Sequence, residues 1–182
     1  MSESLVNLTG ARVRLRDVTL ADADVLEAVD SLERRGGGFN DFGEPFRRAD
    51  REALARGPLR NDHNGAFLIE RLDTGMVVGT VGWHLERYGP NAESNAWNIG
   101  IEIVAEARGL GIGAEAQRLV ARWLFENSAV NRVEASTDIE NIAEQRSLEK
   151  AGFTREGTLR GAQFRAGGFH DLVVYSRLRS DP

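Results

Sequence analysis

The chain contains no cysteine. Disulfides, thiolate metal sites and cysteine nucleophiles are excluded together. Its three histidines, His63, His84 and His170, are scattered without ligand spacing, so no metal centre is expected. No apolar run approaches the ~20 residues of a membrane span. Met1–Asn7 carries Glu3 and no apolar stretch, so no signal peptide is read and a cytoplasmic location is expected. Positive charge is not in excess either: 23 Lys and Arg against 28 Asp and Glu leave a net charge of −5. A dedicated nucleic-acid binder usually presents a basic face, so no nucleic-acid partner is expected. The arginines at 34, 35, 47, 48 and 51 lie among acids and read as solvated surface.

What is present is a chain of 182 residues, a length that suits one domain spanning 1–182. Arg12–Val18 alternates polar and apolar residues and predicts a strand, followed by a short helix to Val29. Ser31–Phe46, with three glycines in a row, reads as a loop or a mobile helix–loop element, and Arg47–Arg56 as a helix. Ala66–Arg71 and Met76–Trp83 read as a hairpin, Ala96–Val104 as a third consecutive strand. Ala114–Glu126 carries Ala116, Leu119, Val120, Trp123 and Leu124 on one helical stripe. A short strand, Arg132–Ser136, precedes a helix over Ile142–Ala151 that Gly152 is placed to cap. Phe153–Phe164 and Phe169–Leu178 form a closing hairpin. The order predicts an α/β fold of the α+β kind, a mixed sheet flanked by helices.

Ala105–Gly113 (AEARGLGIG) joins a strand to a helix through three glycines. Glycine permits close backbone approach and positive φ, and the helix start offers unpaired N–H groups and a favourable dipole for an anion. Such a corner is a pyrophosphate cradle; a tight turn with no ligand is the plain alternative. Gly111, Gly113 and Ala116 also match the dinucleotide fingerprint G-x-G-x-x-A, with Glu134 as the distal acid. Against it, Ala105–Arg108 separate the first glycine from its strand, Glu134 starts its strand rather than ends it, and too little chain follows for a doubly wound sheet. No Lys-Ser/Thr follows the glycines, so a Walker A loop is excluded.

Arg108–Gly113 (RGLGIG) matches the R/Q-x-x-G-x-G/A motif of the GNAT acetyltransferases. The surrounding Asn98–Gly109 and the downstream Asn141–Phe153 (NIAEQRSLEKAGF) resemble their ribosomal-protein N-acetyltransferase branch, as does His170–Ser176 (HDLVVYS). The resemblance covers nearly the whole chain from Arg12. It implies a V-shaped sheet with acyl-CoA wedged between splayed parallel strands, here Ile99–Val104 and Arg132–Ser136. It implies a pyrophosphate held by Arg108, Gly109, Leu110, Gly111, Ile112, Gly113 and Ala114. The pantetheine arm is expected to pair with backbone at Ile103 and Val104 and to touch Asn141. Asn141 equally reads as a helix N-cap with Glu144 completing a capping-box-like pair.

The implied reaction is direct attack of a primary amine on the acetyl-CoA thioester, without a covalent enzyme intermediate. The acceptor is a protein N-terminus or a small amine; a larger or acidic acyl group such as succinyl remains open, as does a homodimer. Glu102 is the candidate base, acting through water, and is weighed against a surface charge on a strand edge; Ser147 and Tyr175 are candidate acids, each weighed against a packing role. His84 is a candidate for the acceptor pocket, which Ser31–Arg60 is expected to shape; Trp97 and Trp123 read as core. Three positions depart from the branch: Leu148 stands where many relatives have tyrosine, Glu144 where serine is frequent, and Asn98 where glutamate is frequent. These departures keep open an alternative, a non-catalytic acyl-CoA sensor or interaction module.

Overall fold

The computed structural model describes residues 5–29, 38–39 and 48–182, and among these twelve strands and α-helices follow one another. Strands β1 (Asn7–Thr9) and β2 (Val13–Asp17) lead to helices α1 (Ala23–Val29) and α2 (Arg48–Leu54). β3 (Asn64–Arg71), β4 (Val77–Arg87) and β5 (Asn95–Ile103) follow as an antiparallel meander. Then come α3 (Ile112–Asn127), β6 (Arg132–Asp138), α4 (Ile142–Lys150), β7 (Thr154–Arg165) and β8 (Gly168–Leu178). Most of the expected Ser31–Phe46 loop lies outside the described residues.

The eight strands form one sheet in the order β1-β2-β3-β4-β5-β6-β8-β7. Only β5 and β6 are parallel neighbours, joined through the α3 crossover. The mixed sheet flanked by helices is the fold class the sequence predicts.

Alternation divides the sheet faces. Phe67, Ile69, Val81, Trp83 and Ile99 meet Ala116, Val120 and Leu124 of α3 in the main core. Phe67, Trp83 and Trp123 cluster there, with ring centroids 4.8–5.3 Å apart. Trp97 is also core, its Nε1 donating to Ser128 Oγ at 3.0 Å. On the opposite face Val18, Leu26, Leu54 and Leu68 close a smaller core under α1 and α2.

Candidate functional site

β5 and β6 are in register only at Trp97–Val133 and Asn98–Glu134. Beyond that point the strands part. Val104 N–H donates to Val78 O, which sets the alternation of the β4–β5 ladder. Gly100, Glu102 and Val104 therefore exchange main-chain bonds with β4, whereas Ile99, Ile101 and Ile103 turn theirs toward the gap. The gap continues into a cleft of about 560 Å³. Its walls include Ile101–Ile103, Arg108, Gly109, Gly111–Ala114, Asn141, Glu144, Arg146, Ser147 and Lys150, with Gly38 and Phe39 from the α1–α2 connection.

The glycine corner builds one end of this cleft. After β5 the chain makes a 3-10 turn over Ala105–Ala107, then Gly109 and Gly111 take φ of +74° and +78°. A Cβ at either would meet nothing within 4 Å, so the left-handed backbone, not crowding, requires glycine there. Gly111 is the N-cap, and α3 starts at Ile112, two residues before the sequence-predicted start. Glycine is a poor helix former, so Gly113 reads as loop in sequence. In the fold it admits α4: a Cβ on Gly113 would lie 2.9 Å from Ser147 Oγ. The first-turn N–H groups of a four-turn helix thus face an open, glycine-lined recess. Open main chain at β5, a recess at a helix N-terminus and cations at its rim fit an extended thioester carrying phosphates.

The expected binding residues divide. Gly109, Gly111, Ile112, Gly113, Ala114, Arg108, Ile103 and Asn141 all line the cleft. Leu110 does not; its side chain turns to solvent. Val104 is corrected as well: its N–H goes to Val78, so it has no donor left for an added strand, and its carbonyl already accepts from Ala107. The gap-facing residue is Ile101 instead. Arg108 Nε donates to Ile103 O at 2.9 Å. Asn141 is the α4 N-cap, its Oδ1 accepting from Glu144 N–H at 3.3 Å while its Nδ2 donates to Thr137 Oγ1 at 3.0 Å. The capping-box half expected of Glu144 is absent. Its carboxylate reaches across to α3 and accepts from Gln117 Nε2, and burial raises it to about 7 against the opposing effect of that bond.

Of the three candidate catalytic residues, Glu102 and Ser147 line the cleft. Ser147 Oγ donates to Gln117 Oε1 at 2.9 Å, so its proton points to α3. Tyr175 is elsewhere: fully buried in the main core, its hydroxyl donates to Glu149 at 3.2 Å. A tyrosine there packs β8 under α4 and does not reach the cleft. Leu148 is likewise fully buried and supplies no proton. His84 is exposed and pairs with Glu86 at 3.0 Å, away from the cleft lining.

Two features of the site were not read from the sequence in the roles they hold: Glu134, weighed there only as the acid of a dinucleotide fingerprint, and Gln117. Glu134 sits at the last registered pair, where it accepts from Tyr88 Oη, Asn98 Nδ2 and Arg132 Nε at 2.7–3.3 Å. Its cross-strand neighbour Asn98 is an amide, so the carboxylate at the point of divergence comes from β6. Gln117, one helical turn into α3, is 1% exposed. A polar residue on the stripe flanked by Ala116 and Val120 was the only signal for it.

Residues 12–154 match the model of the acetyltransferase (GNAT) domain. The chain belongs to that family. It is 36% identical over 109 residues to the uncharacterized N-acetyltransferase YoaA of Bacillus subtilis, a match spanning 59% of each chain. It is 30% identical to the probable N-acetyltransferase YjcK of the same organism, across 96% of this chain and 98% of that relative. The fold resembles a ribosomal-protein-S5-alanine acetyltransferase from Vibrio fischeri, with a TM-score of 0.77, 19% identity and coverage of 97% and 98%. It also resembles Mycobacterium smegmatis RimJ in complex with CoA-disulfide, with a TM-score of 0.76, 20% identity and coverage of 96% and 87%. GNAT acetyltransferases take their acyl group from acetyl-CoA, and the RimJ neighbour holds a CoA-disulfide. Among the described residues no helix is long and apolar enough to cross a membrane, and none of the side chains cluster as metal ligands.

Proposed function

We propose that this GNAT member, acting as one domain, transfers acetyl from acetyl-CoA to a primary amine by direct attack within a ternary complex. The observation that carries this reading is the parting of β5 and β6 beside the glycine corner. That arrangement offers Ile101 and Ile103 main chain to an extended arm and α3 N–H groups to a diphosphate. Arg108, Arg146 and Lys150 add positive charge at the same rim.

The acceptor approaches the sheet from the α1–α2 side, where Gly100 and Glu102 face by alternation. Glu102, half-buried at the cleft wall, takes the amine's surplus proton through water. The acceptor is a protein N-terminus or a small amine; kinship in fold with a ribosomal-protein-S5-alanine acetyltransferase favours the former. A cytoplasmic setting and a homodimer belong to the same reading.

A thermal-shift comparison of acetyl-CoA, NAD and ATP tests the donor. CoA release with dipeptide amides of every first residue, together with small polyamines, tests the transfer. The expected result is stabilisation by acetyl-CoA alone and turnover on at least one amine. Stabilisation by NAD instead would overturn the reading, and tight donor binding with no turnover would favour a sensor.

A further inference from the structure

Glu144 takes no part in the reaction as described so far, yet it is held with care. Its Oε1 accepts from Gln117 Nε2, and Gln117 Oε1 in turn accepts from Ser147 Oγ at 2.9 Å. Ser147 thereby fixes which way the Gln117 amide points, and Gln117 fixes the carboxyl. With Oε1 occupied as an acceptor, a proton on Glu144 resides on Oε2. No hydrogen bond or ion pair among the described residues engages Oε2. Glu144 lines the cleft on the wall shared by Gly113 and Ser147. The charged groups in the same cleft are Glu102 from β5, Arg108 from the glycine corner, and Arg146 and Lys150 from α4; α3 presents the neutral Gln117.

Building on the acetyltransferase reading, we propose that Glu144 is the general acid of the transfer, giving its Oε2 proton to the departing sulfur of CoA. As the tetrahedral carbon collapses, the C–S bond breaks and its electron pair remains on sulfur. The carboxylic O–H proton moves to that sulfur, leaving Glu144 as carboxylate and CoA as thiol. The amine's surplus proton leaves through Glu102 and water, and solvent reprotonates Glu144, so one proton passes from amine to thiol per turnover. Burial favours the neutral acid, which places its titration near neutrality, at about 7. Gln117 and Ser147 act through it as positioning residues.

Glu144→Gln keeps the shape and the bond from Gln117 while removing the proton. Its expected kcat, on the best amine of the panel, falls ~10²–10⁴-fold, with KM and Kd for acetyl-CoA within about twofold. The wild-type loss of kcat above neutral pH should vanish from the variant's profile. A second readout needs no acceptor. The folded protein holds Glu144's proton up to about pH 7 whereas an unfolded chain releases it near 4.5, so wild-type stability falls as pH rises between those values. Glu144→Gln is therefore expected to melt higher than wild type at pH 8, with the gap closing toward pH 5. An unchanged kcat in the variant, or a melting difference independent of pH, overturns the proposal. Those results leave the transferase reading standing, whereas a wild-type protein that fails to bind acetyl-CoA removes both.

Discussion

Gly111 and Gly113 are two residues apart and are glycine for different reasons. Gly111 has φ of +78° and open space where a side chain would go; Gly113 is helical and pressed against Ser147. Gly111→Asp separates binding from folding, because aspartate tolerates the left-handed region better than most residues. The fold should lose no more than ~1–2 kcal/mol, while a carboxylate enters the recess proposed for the diphosphate. Acetyl-CoA affinity by calorimetry is expected to drop at least ~100-fold with the melting temperature lowered only a few degrees; an unchanged Kd would remove the site. The need for glycine here was legible from the motif, since a recurring glycine pattern reports backbone demands. The roles of Ser147, Tyr175 and Val104 were not. Each depends on where a hydroxyl proton, a ring or an N–H points, and that is decided by partners 26–30 residues away for Tyr175 and Ser147 and by β4 for Val104.

At the level of elements, α3 announced itself through its apolar stripe, and Gly152 stopped α4 as its position suggested, with φ of +91°. β1 has only three residues and no buried alternation, so nothing in its sequence distinguished it from coil. Nor did sequence show that β8 lies between β6 and β7, because a hairpin's order within a sheet depends on which strand its neighbour recruits. What pins α3 to the sheet edge was equally hidden. Glu115, in the first turn of α3 and 7% exposed, accepts from Ala11 N–H and from Arg12 N–H at 2.9 Å, more than 100 residues away. The fit is close enough that a Cβ on Gly10 would collide with the Glu115 carboxylate. Glu115→Ala strands both donors and should cost about 2 kcal/mol in urea unfolding. Glu115→Gln retains an acceptor and should recover at least half of the loss; equal losses would show that packing, not the carbonyl oxygen, anchors the helix.

For the molecule as a whole, acid stability follows from a network on the face opposite α3. Burial alone would raise Asp22, but Arg16, at 2.7 Å, and Thr19 bring it down to about 2. Burial likewise opposes Glu70, which Arg16 and Arg14 hold below its usual value. Depressed carboxyls stabilise the fold above their ordinary range and lose that contribution as they protonate. The contribution of these two carboxyls should therefore stay level down to about pH 4 and fall toward pH 2. Asp22→Asn is expected to cost about 2 kcal/mol at pH 7 and almost nothing at pH 2; a penalty independent of pH would mean that the ion pair is not its source. Five strands on one side and three on the other share two residue pairs across β5 and β6, so an acyl donor bound as proposed would act as a keystone. A ligand at 100 times its Kd adds roughly 2.7 kcal/mol to such a structure, a large fraction of what holds a domain of this size together. Resistance to heat and to proteases would then rise and fall with donor supply, and the starved protein would be the first to be cleared.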